Sequence, residues 1–490
     1  MTTREKVGIA SICLAAMLLP FSVTGPGVSL GEIAQEIGAG PSAAQWILNT
    51  YNICFAALMF GAGVVAARIG RRRGLVCGQI GFVGGSLICA VAPDVMTMLI
   101  GRGVQGIAAA LILTSASQYI AIALSGSVQR MAFGLLGSSF GAGLAVGPVL
   151  CGALTDIAGW RSVFVLCAVV AAITALGAMR LRPDSATSVV HGDPAGIATF
   201  TVALASLCGY FMLAADHGFA STSSLALLAV FLVATVAFTL VEKKASHPVV
   251  DVNLLRSKTF LCVVLQPFTI LTTFAALLVY LPAYFQSHEA MSVTQSGLAL
   301  LPLTIPVFAL PLVIARFSTV LGRRIILGLS PLIMGVGLIL TAIAVHAGFA
   351  WVELGLLVTG SGIGIAFGVM DSAAANVVPV EKVEIATGMF NSARLVSETI
   401  GIAIVGSVLL AALRGLYDEG AAAALAAGSL PPDGVELNGL VASWSWILIA
   451  LGVLGLLASW LLFWGIDDDA FDQKAHNKEE ILDKEQEVAS

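Results

Sequence analysis

Charge is what this chain has least of. Of its 490 residues only 11% are Asp, Glu, Lys or Arg and 58% are hydrophobic, against roughly 25% charged residues in soluble domains. A mean hydropathy of +0.97 over the whole length excludes a soluble body on a single anchor. Cysteine is sparse and unpatterned. Cys13, Cys54, Cys77, Cys89, Cys151, Cys167, Cys208 and Cys262 all fall in apolar runs, with no C-x-x-C pair and no Cys/His cluster. That excludes a disulfide or metal framework, and the eight read as small buried hydrophobes. His217, His288 and His346 stand singly near helix ends, as interfacial polar residues do. No phosphate-binding loop, metal constellation or Ser/His/Asp arrangement is present. A nucleotide-driven pump and an enzyme are therefore disfavoured, and no cofactor, metal or nucleic-acid partner is implied. The net charge of −5 says little, because an acidic C-terminal tail dominates it.

What the chain does have is uncharged runs of about twenty residues, the length that crosses a ~30 Å hydrocarbon layer as a helix. It also has 52 glycines, which suit close helix contact in lipid. The first run follows Arg4 and Lys6. It is long, no A-x-A site follows, and further spans come after it, so it reads as a retained helix rather than a signal peptide. Fourteen spans are expected: 8–30, 44–67, 74–92, 96–121, 131–153, 162–179, 195–215, 223–241, 260–286, 293–315, 325–345, 351–377, 385–412 and 441–465. The longer connections are 180–194, 242–259 and 413–440. With both termini on the cytoplasmic side, twenty Lys and Arg residues fall inside and two, Arg161 and Arg414, outside; Arg102 and Arg394 lie within helices. That asymmetry obeys the positive-inside rule and requires an even number of spans.

Weak internal similarity runs through the chain. GIAAALILTSAS from Gly106 resembles GIAFGVMDSAAA from Gly364, an offset of 258; GLLGSSFGAGLAVG from Gly134 resembles GMFNSARLVSETIG from Gly388, an offset of 254; GRRR at Gly70 recurs as GRRI at Gly322, an offset of 252. Near-constant offsets predict two parallel six-helix halves. The boundaries expected are an N-terminal bundle over 1–179, an inserted two-helix region over 180–259, a C-terminal bundle over 260–465 and an acidic tail over 466–490. Parallel repeats are a transporter device, with substrate near the midplane between the halves.

Several motifs carry chemistry. In GAGVVAARIGRRRG (61–74), Gly63 and Gly70 allow a tight turn, and Arg71, Arg72 and Arg73 are either topology charges or a latch on a moving helix end. In LIGRGVQGIAAA (99–110), Arg102 lies within a span, where an arginine costs roughly 2.5–3.5 kcal/mol on insertion scales. It therefore needs a partner, either structural (Gln105 or carbonyls) or coupled to function. In GSSFGAGLAVGPVLCG (137–152), Gly137, Gly141, Gly143, Gly147 and Gly152 give a nearly bare helix face and Pro148 a kink or stiffening. Arg394 and Glu398 stand four apart on one helical face, so an ion pair between them is expected. Asp371 is the only other clearly intramembrane carboxylate. Asn49, Asn52, Gln266, Tyr280, Asn391 and Arg394 are candidate cavity residues.

These segments resemble the major facilitator superfamily, and within it the fourteen-helix drug–proton antiporters, over essentially the whole chain. GAGVVAARIGRRRG is similar to the inner-loop signature G-x-L-x-D-R-x-G-R-R-x, LIGRGVQGIAAA to the fourth-helix R-x-x-Q-G, and GLAVGPVLCG to the antiporter signature G-x-x-x-G-P-x-x-G-G, with Cys151 for one glycine. YLPAYFQ and SGLALLP match further family segments. Two departures stand out. The loop aspartate falls on Ala67, and the aspartate many relatives carry in the first helix falls on Ser22. The resemblance implies an all-α membrane protein of two six-helix bundles plus two extra helices, a monomer in the cell membrane. It would export a small amphipathic or cationic molecule in exchange for protons. Arg102, Arg394, Asp371 and Glu398 would serve coupling, and Gly143, Gly147 and Pro148 helix motion. The alternatives are a metabolite importer or facilitator of the same fold, or a non-transporting membrane sensor.

Overall fold

The structure is a computed structural model, described for residues 3–39, 41–183, 194–244, 254, 256–317, 321–379, 382–426 and 437–467. Parts of the three expected connections lie outside the described residues. So do the tail from 468 onward, with Lys474, Lys478 and Lys484, and the side chains of Arg4, Pro148 and His217.

Among the described residues every element is a helix, as spans without water to satisfy backbone groups must be. The elements are α1 (Thr3–Val28), α2 (Leu30–Glu36), α3 (Pro41–Ile69), α4 (Arg71–Ala90), α5 (Val95–Ala123), α6 (Gly126–Ala158), α7 (Arg161–Ala178), α8 (Pro194–His217), α9 (Thr222–Lys244), α10 (Lys258–His288), α11 (Val293–Leu298), α12 (Leu301–Phe317), α13 (Arg323–Ala344), α14 (Phe349–Asn376), α15 (Val383–Arg414), α16 (Glu419–Ala426) and α17 (Asn438–Gly465).

Twelve of these helices are long and apolar enough to cross a membrane. A thirteenth, α6, qualifies as a pair bent by 44° between Gly147 and Val149, at Pro148, which has no amide hydrogen to donate. α12 is apolar but shorter, at 17 residues. The fourteen expected spans are consistent with this set, with one correction. The span expected over 293–315 is broken: α11 ends at Leu298 and α12 starts at Leu301, where Pro302 fits a first helical turn better than an interior. Two short helices, α2 and α16, had no counterpart among the expected spans.

The two halves repeat their packing. In the N-terminal half α5 packs on α3 and α4, α1 on α6 and α7, and α4 on α7. In the C-terminal half α14 packs on α12 and α13, α10 on α15 and α17, and α13 on α17. The sequence offsets reappear as geometry. A Cβ on Gly106 would press on the Tyr51 carbonyl of α3, and one on Gly364 would collide with the Pro306 carbonyl of α12. Gly70 and Gly322 cap α4 and α13 with φ of 92° and 72°, a region that favours glycine.

The halves meet along two seams, α6 on α12 and α3 on α15. The inserted α8 packs on both α3 and α15, and α9 packs on α8. Only 11% of the apolar window of α9 is buried, so α9 faces the bilayer.

Candidate functional site

Between the halves, on the α3/α15 seam, lies a cavity of about 260 Å³. It is lined by Asn49 and Asn52 of α3, Val279 and Tyr280 of α10, Leu395, Glu398, Thr399, Ile402 and Ala403 of α15, with Val23 of α1 and Met212 of α8. These residues lie early in α3 but late in α1, α8 and α10, so the cavity occupies the half of the bundle remote from the N-terminus. Toward the N-terminal side the seam is shut by an apolar cluster of Phe60 and Val64 with Ile385 and Met389 of α15, Ile197 and Phe200 of α8 and Phe238 of α9.

The local reasons for this lining are plain. On α15, Leu395, Glu398, Thr399 and Ile402 are three to four residues apart and share a helical face. Thr399 turns its hydroxyl back to the Leu395 carbonyl at 3.1 Å. The Tyr280 hydroxyl donates to the Ile402 carbonyl at 3.0 Å, and its ring lies over Gly406, where a Cβ would collide with it. The tyrosine is thereby fixed at the wall. Glu398 has no ion-pair partner within 4.0 Å among the described residues, and its carboxylate faces a mostly apolar chamber.

The expected Arg394–Glu398 pair is not formed. Arg394 pairs instead with Asp371 of α14, Nη1 lying 3.5 Å from both carboxylate oxygens. Helical side chains lean toward the N-terminus, so an arginine four residues before a glutamate leans away from it, the less favourable order. Asp371 is 4% exposed and Arg394 1%. The aspartate therefore has a cation beside it, five residues inside the end of α14. The guanidinium is also covered by the rings of Phe140 of α6, at 4.1 Å, and Phe367 of α14, at 5.0 Å. Its Nε and Nη2 have no partner among the described residues. Because Phe140 belongs to the other half, this charge sits where the two halves touch.

Arg102 is fully buried and satisfied without a carboxylate. It donates to the Ile47 carbonyl at 3.0 Å, the Ser22 carbonyl at 3.1 Å and Gln105 Oε1 at 2.9 Å, and lies over the Tyr51 ring at 4.5 Å. Gln105 in turn donates to Ser86 at 2.8 Å. The arrangement clamps α1, α3 and α5 together, the structural alternative for this residue, and Arg102 does not line the cavity.

The remaining candidates scatter. Gln266 donates to Ser330 at 3.1 Å and lines a separate groove between α10 and α17. Asn391 is buried with neither amide atom partnered among the described residues. Arg71 is buried, Arg72 half-buried and Arg73 exposed, and Gly63 faces Gln118 of α5. The α6 glycines do not form one bare face. Cβ atoms on Gly143 and Gly147 would collide with the Met17 carbonyl and Thr24 hydroxyl of α1, whereas Gly134, Gly137 and Gly141 press on the backbones of α12 and α14. Gly152 is half-buried. Not every cysteine is buried either: Cys77 is exposed and Cys54 and Cys262 are intermediate. Of the residues named from the sequence, the cavity candidates Asn49, Asn52 and Tyr280 and the coupling candidate Glu398 line this chamber. Sequence reasoning missed Leu395, Thr399 and Ile402, which helical spacing from Glu398 would have found, and Met212, for which no local signal exists.

The sequence profile of the Major Facilitator Superfamily matches residues 10–402. This chain belongs to the Major Facilitator Superfamily. Among members of that superfamily it is similar to the multidrug resistance protein Stp of Mycobacterium tuberculosis, 26% identical over 409 residues that cover 83% of this chain and 74% of that one. It is also similar to the puromycin resistance protein pur8 of Streptomyces alboniger, 28% identical over 484 residues, 95% and 92% of the two chains. Its fold is shared by the human organic anion transporter MFSD10, with a TM-score of 0.60 at 15% identity, over 94% of this chain and 100% of that one. As a member of this superfamily the chain is a multi-pass membrane transporter of small molecules rather than an enzyme. At the two positions where it departs from the superfamily signatures, Ala67 is fully buried and the Ser22 hydroxyl lies 3.5 Å from the Cys167 thiol. The Ser22 carbonyl does the binding to Arg102.

Proposed function

We propose that this chain exports amphipathic, cationic compounds across the cell membrane in exchange for protons, both termini lying in the cytoplasm. The observation that carries the reading is Glu398, a carboxylate with no ion pair within 4.0 Å among the described residues, on the wall of a chamber between the halves, beside Asn49, Asn52 and Tyr280. A negative charge in low dielectric attracts a lipophilic cation strongly, and the surrounding apolar residues take up its hydrocarbon. The same oxygen atoms cannot hold a proton and face a cation at full strength. Protonation and substrate binding therefore oppose each other at one group, which is the coupling that exchange requires. Asp371, neutralised by Arg394, serves as an internal charge pair rather than as the exchanging acid. The names of the relatives, which speak of multidrug and puromycin resistance, support export of drug-like compounds. The repeated packing supports bundle boundaries near 179 and 260 with the insert between them, and a single copy holds the whole chamber.

Everted membrane vesicles test the reading. Acidifying their interior should drive uptake of a lipophilic cation such as tetraphenylphosphonium, and Glu398→Gln should lower that uptake at least about tenfold, the size expected when a cation loses the carboxylate it pairs with. Uptake that is indifferent to the imposed pH gradient would favour the importer or facilitator reading.

A further inference from the structure

α8 belongs to neither repeat, yet it touches both halves. Near its start, Ile197 lies against Gly61 of α3, and Phe200 packs edge-on to Phe60 at 5.3 Å and on Phe238 of α9 at 5.4 Å. Further along, Cys208 is 1% exposed and belongs to the main hydrophobic core. One turn later Met212 lines the chamber beside Glu398 and Thr399. Another face of the same helix, about 80° round from Met212, exposes Val202 at 48%, toward an apolar groove shared with α9. α8 is thus two-faced, with one side on the chamber and the other on hydrocarbon, and it runs across the seam from α3 to α15.

The pseudo-equivalent α6/α12 seam is shut by direct backbone contact: a Cβ on Gly134 or Gly141 would press on Pro311 or Val307 of α12. The α3/α15 seam does not close in this way along its chamber half. Left uncovered, it would expose an ionisable group to acyl chains, which is expensive in a membrane.

The geometry points to α8 as the bilayer-side wall of the substrate chamber and to Met212 as a substrate contact that sets which amphipathic cations fit. The inference rests on the chamber reading above and extends it to the insert. Met212 suits the task because a thioether on three rotatable bonds adapts to aromatic faces of different shape.

Three single-cysteine variants, Asn52→Cys, Met212→Cys and Val202→Cys, test it in a background with the eight native cysteines replaced, reconstituted in lipid nanodiscs. The probe is the water-soluble cationic thiol reagent 2-(trimethylammonium)ethyl methanethiosulfonate. The expected result is that positions 52 and 212 react at comparable rates, both slowed by saturating tetraphenylphosphonium, while position 202 does not react. Reaction at 52 but not at 212 overturns the wall assignment. Failure at 52 overturns the chamber reading itself. If the cysteine-free background does not fold, the same variants in the native background, with the labelled site located by peptide mapping, give the same comparison. For specificity, Met212→Ala and Met212→Trp should change the ratio of ethidium to tetraphenylphosphonium transport by about tenfold, the scale set by small changes in an apolar pocket. Glu398→Gln should depress both substrates together. An unchanged ratio in both Met212 variants would overturn the specificity assignment.

Discussion

The two seams between the halves are built from equivalent helices and yet differ. On α6 three glycines, Gly134, Gly137 and Gly141, face the other half, and added Cβ atoms would meet backbone of α12 or α14. The positions 254 residues later on α15 are Gly388, Asn391 and Leu395. There a Cβ on Gly388 would meet the Phe60 ring at 3.3 Å and no backbone closer than that. Small residues let helix backbones meet, so the first seam is closed by main chain. The second keeps side chains apart enough to leave a chamber, and it needs a third helix, α8, laid over it. A repeat thus supplies the architecture, and divergence at three positions on one helix turns one of its two interfaces into a candidate binding site.

The comparison can be broken first at its centre, where Arg394 of α15 lies under Phe140 of α6. Asp371→Asn should leave a buried guanidinium without its counter-charge and lower stability by roughly 3–5 kcal/mol, read as a fall in the thermal unfolding midpoint of the purified protein. Asp371→Asn combined with Arg394→Gln should recover part of the loss, because no lone charge then remains buried. If the single variant unfolds at the parent midpoint, the pair does not hold the centre.

The contrast between the seams themselves is sharpened by one substitution made twice. Gly134→Ala should destabilise by about 1–3 kcal/mol, the range for overpacking a closed contact. Gly388→Ala, which meets only a ring edge, should cost less than half as much. Equal losses would mean that the two seams are packed alike.

The smallest effect is expected far from both seams. At the end remote from the N-terminus, Glu36 accepts from the Trp160 indole at 2.5 Å and pairs with Arg161. The indole N–H first, and the guanidinium second, hold its carboxyl below the usual carboxylate range. A depressed carboxyl contributes above its unfolded pKa and loses that contribution as pH falls through the folded value. Glu36→Gln should therefore leave the chamber untouched, lower stability slightly at neutral pH, where the contribution is fully present, and flatten the acid limb of a stability–pH curve by the same amount. An unaltered acid limb would show that this surface contact is energetically silent.

Much of this was legible in the sequence because it rests on period and length. The helices follow from apolar runs, and the pairing of halves from offsets that Gly106 and Gly364 turn into matching close contacts. The break at Leu298 was not legible as such, although Pro302 marks it. Of the chamber, Glu398, Asn49, Asn52 and Tyr280 could be named because polar groups inside spans stand out. Their convergence could not, since it depends on how α3, α10 and α15 are rotated about their own axes. Arg394 shows why. Spacing along one helix offered it Glu398, and packing between helices gave it Asp371. Met212 was invisible for the complementary reason, being an ordinary apolar residue in an apolar run until α8 is laid across the seam.

The central claim is that Glu398 exchanges a proton for a cationic substrate in the α3/α15 chamber. It is tested most directly by measuring proton release when tetraphenylphosphonium is added to the purified protein in weakly buffered solution. The account predicts release from the parent protein, greatest at pH values where Glu398 is still protonated, and none from Glu398→Gln, with weakened cation affinity. Undiminished release and affinity in Glu398→Gln would contradict it.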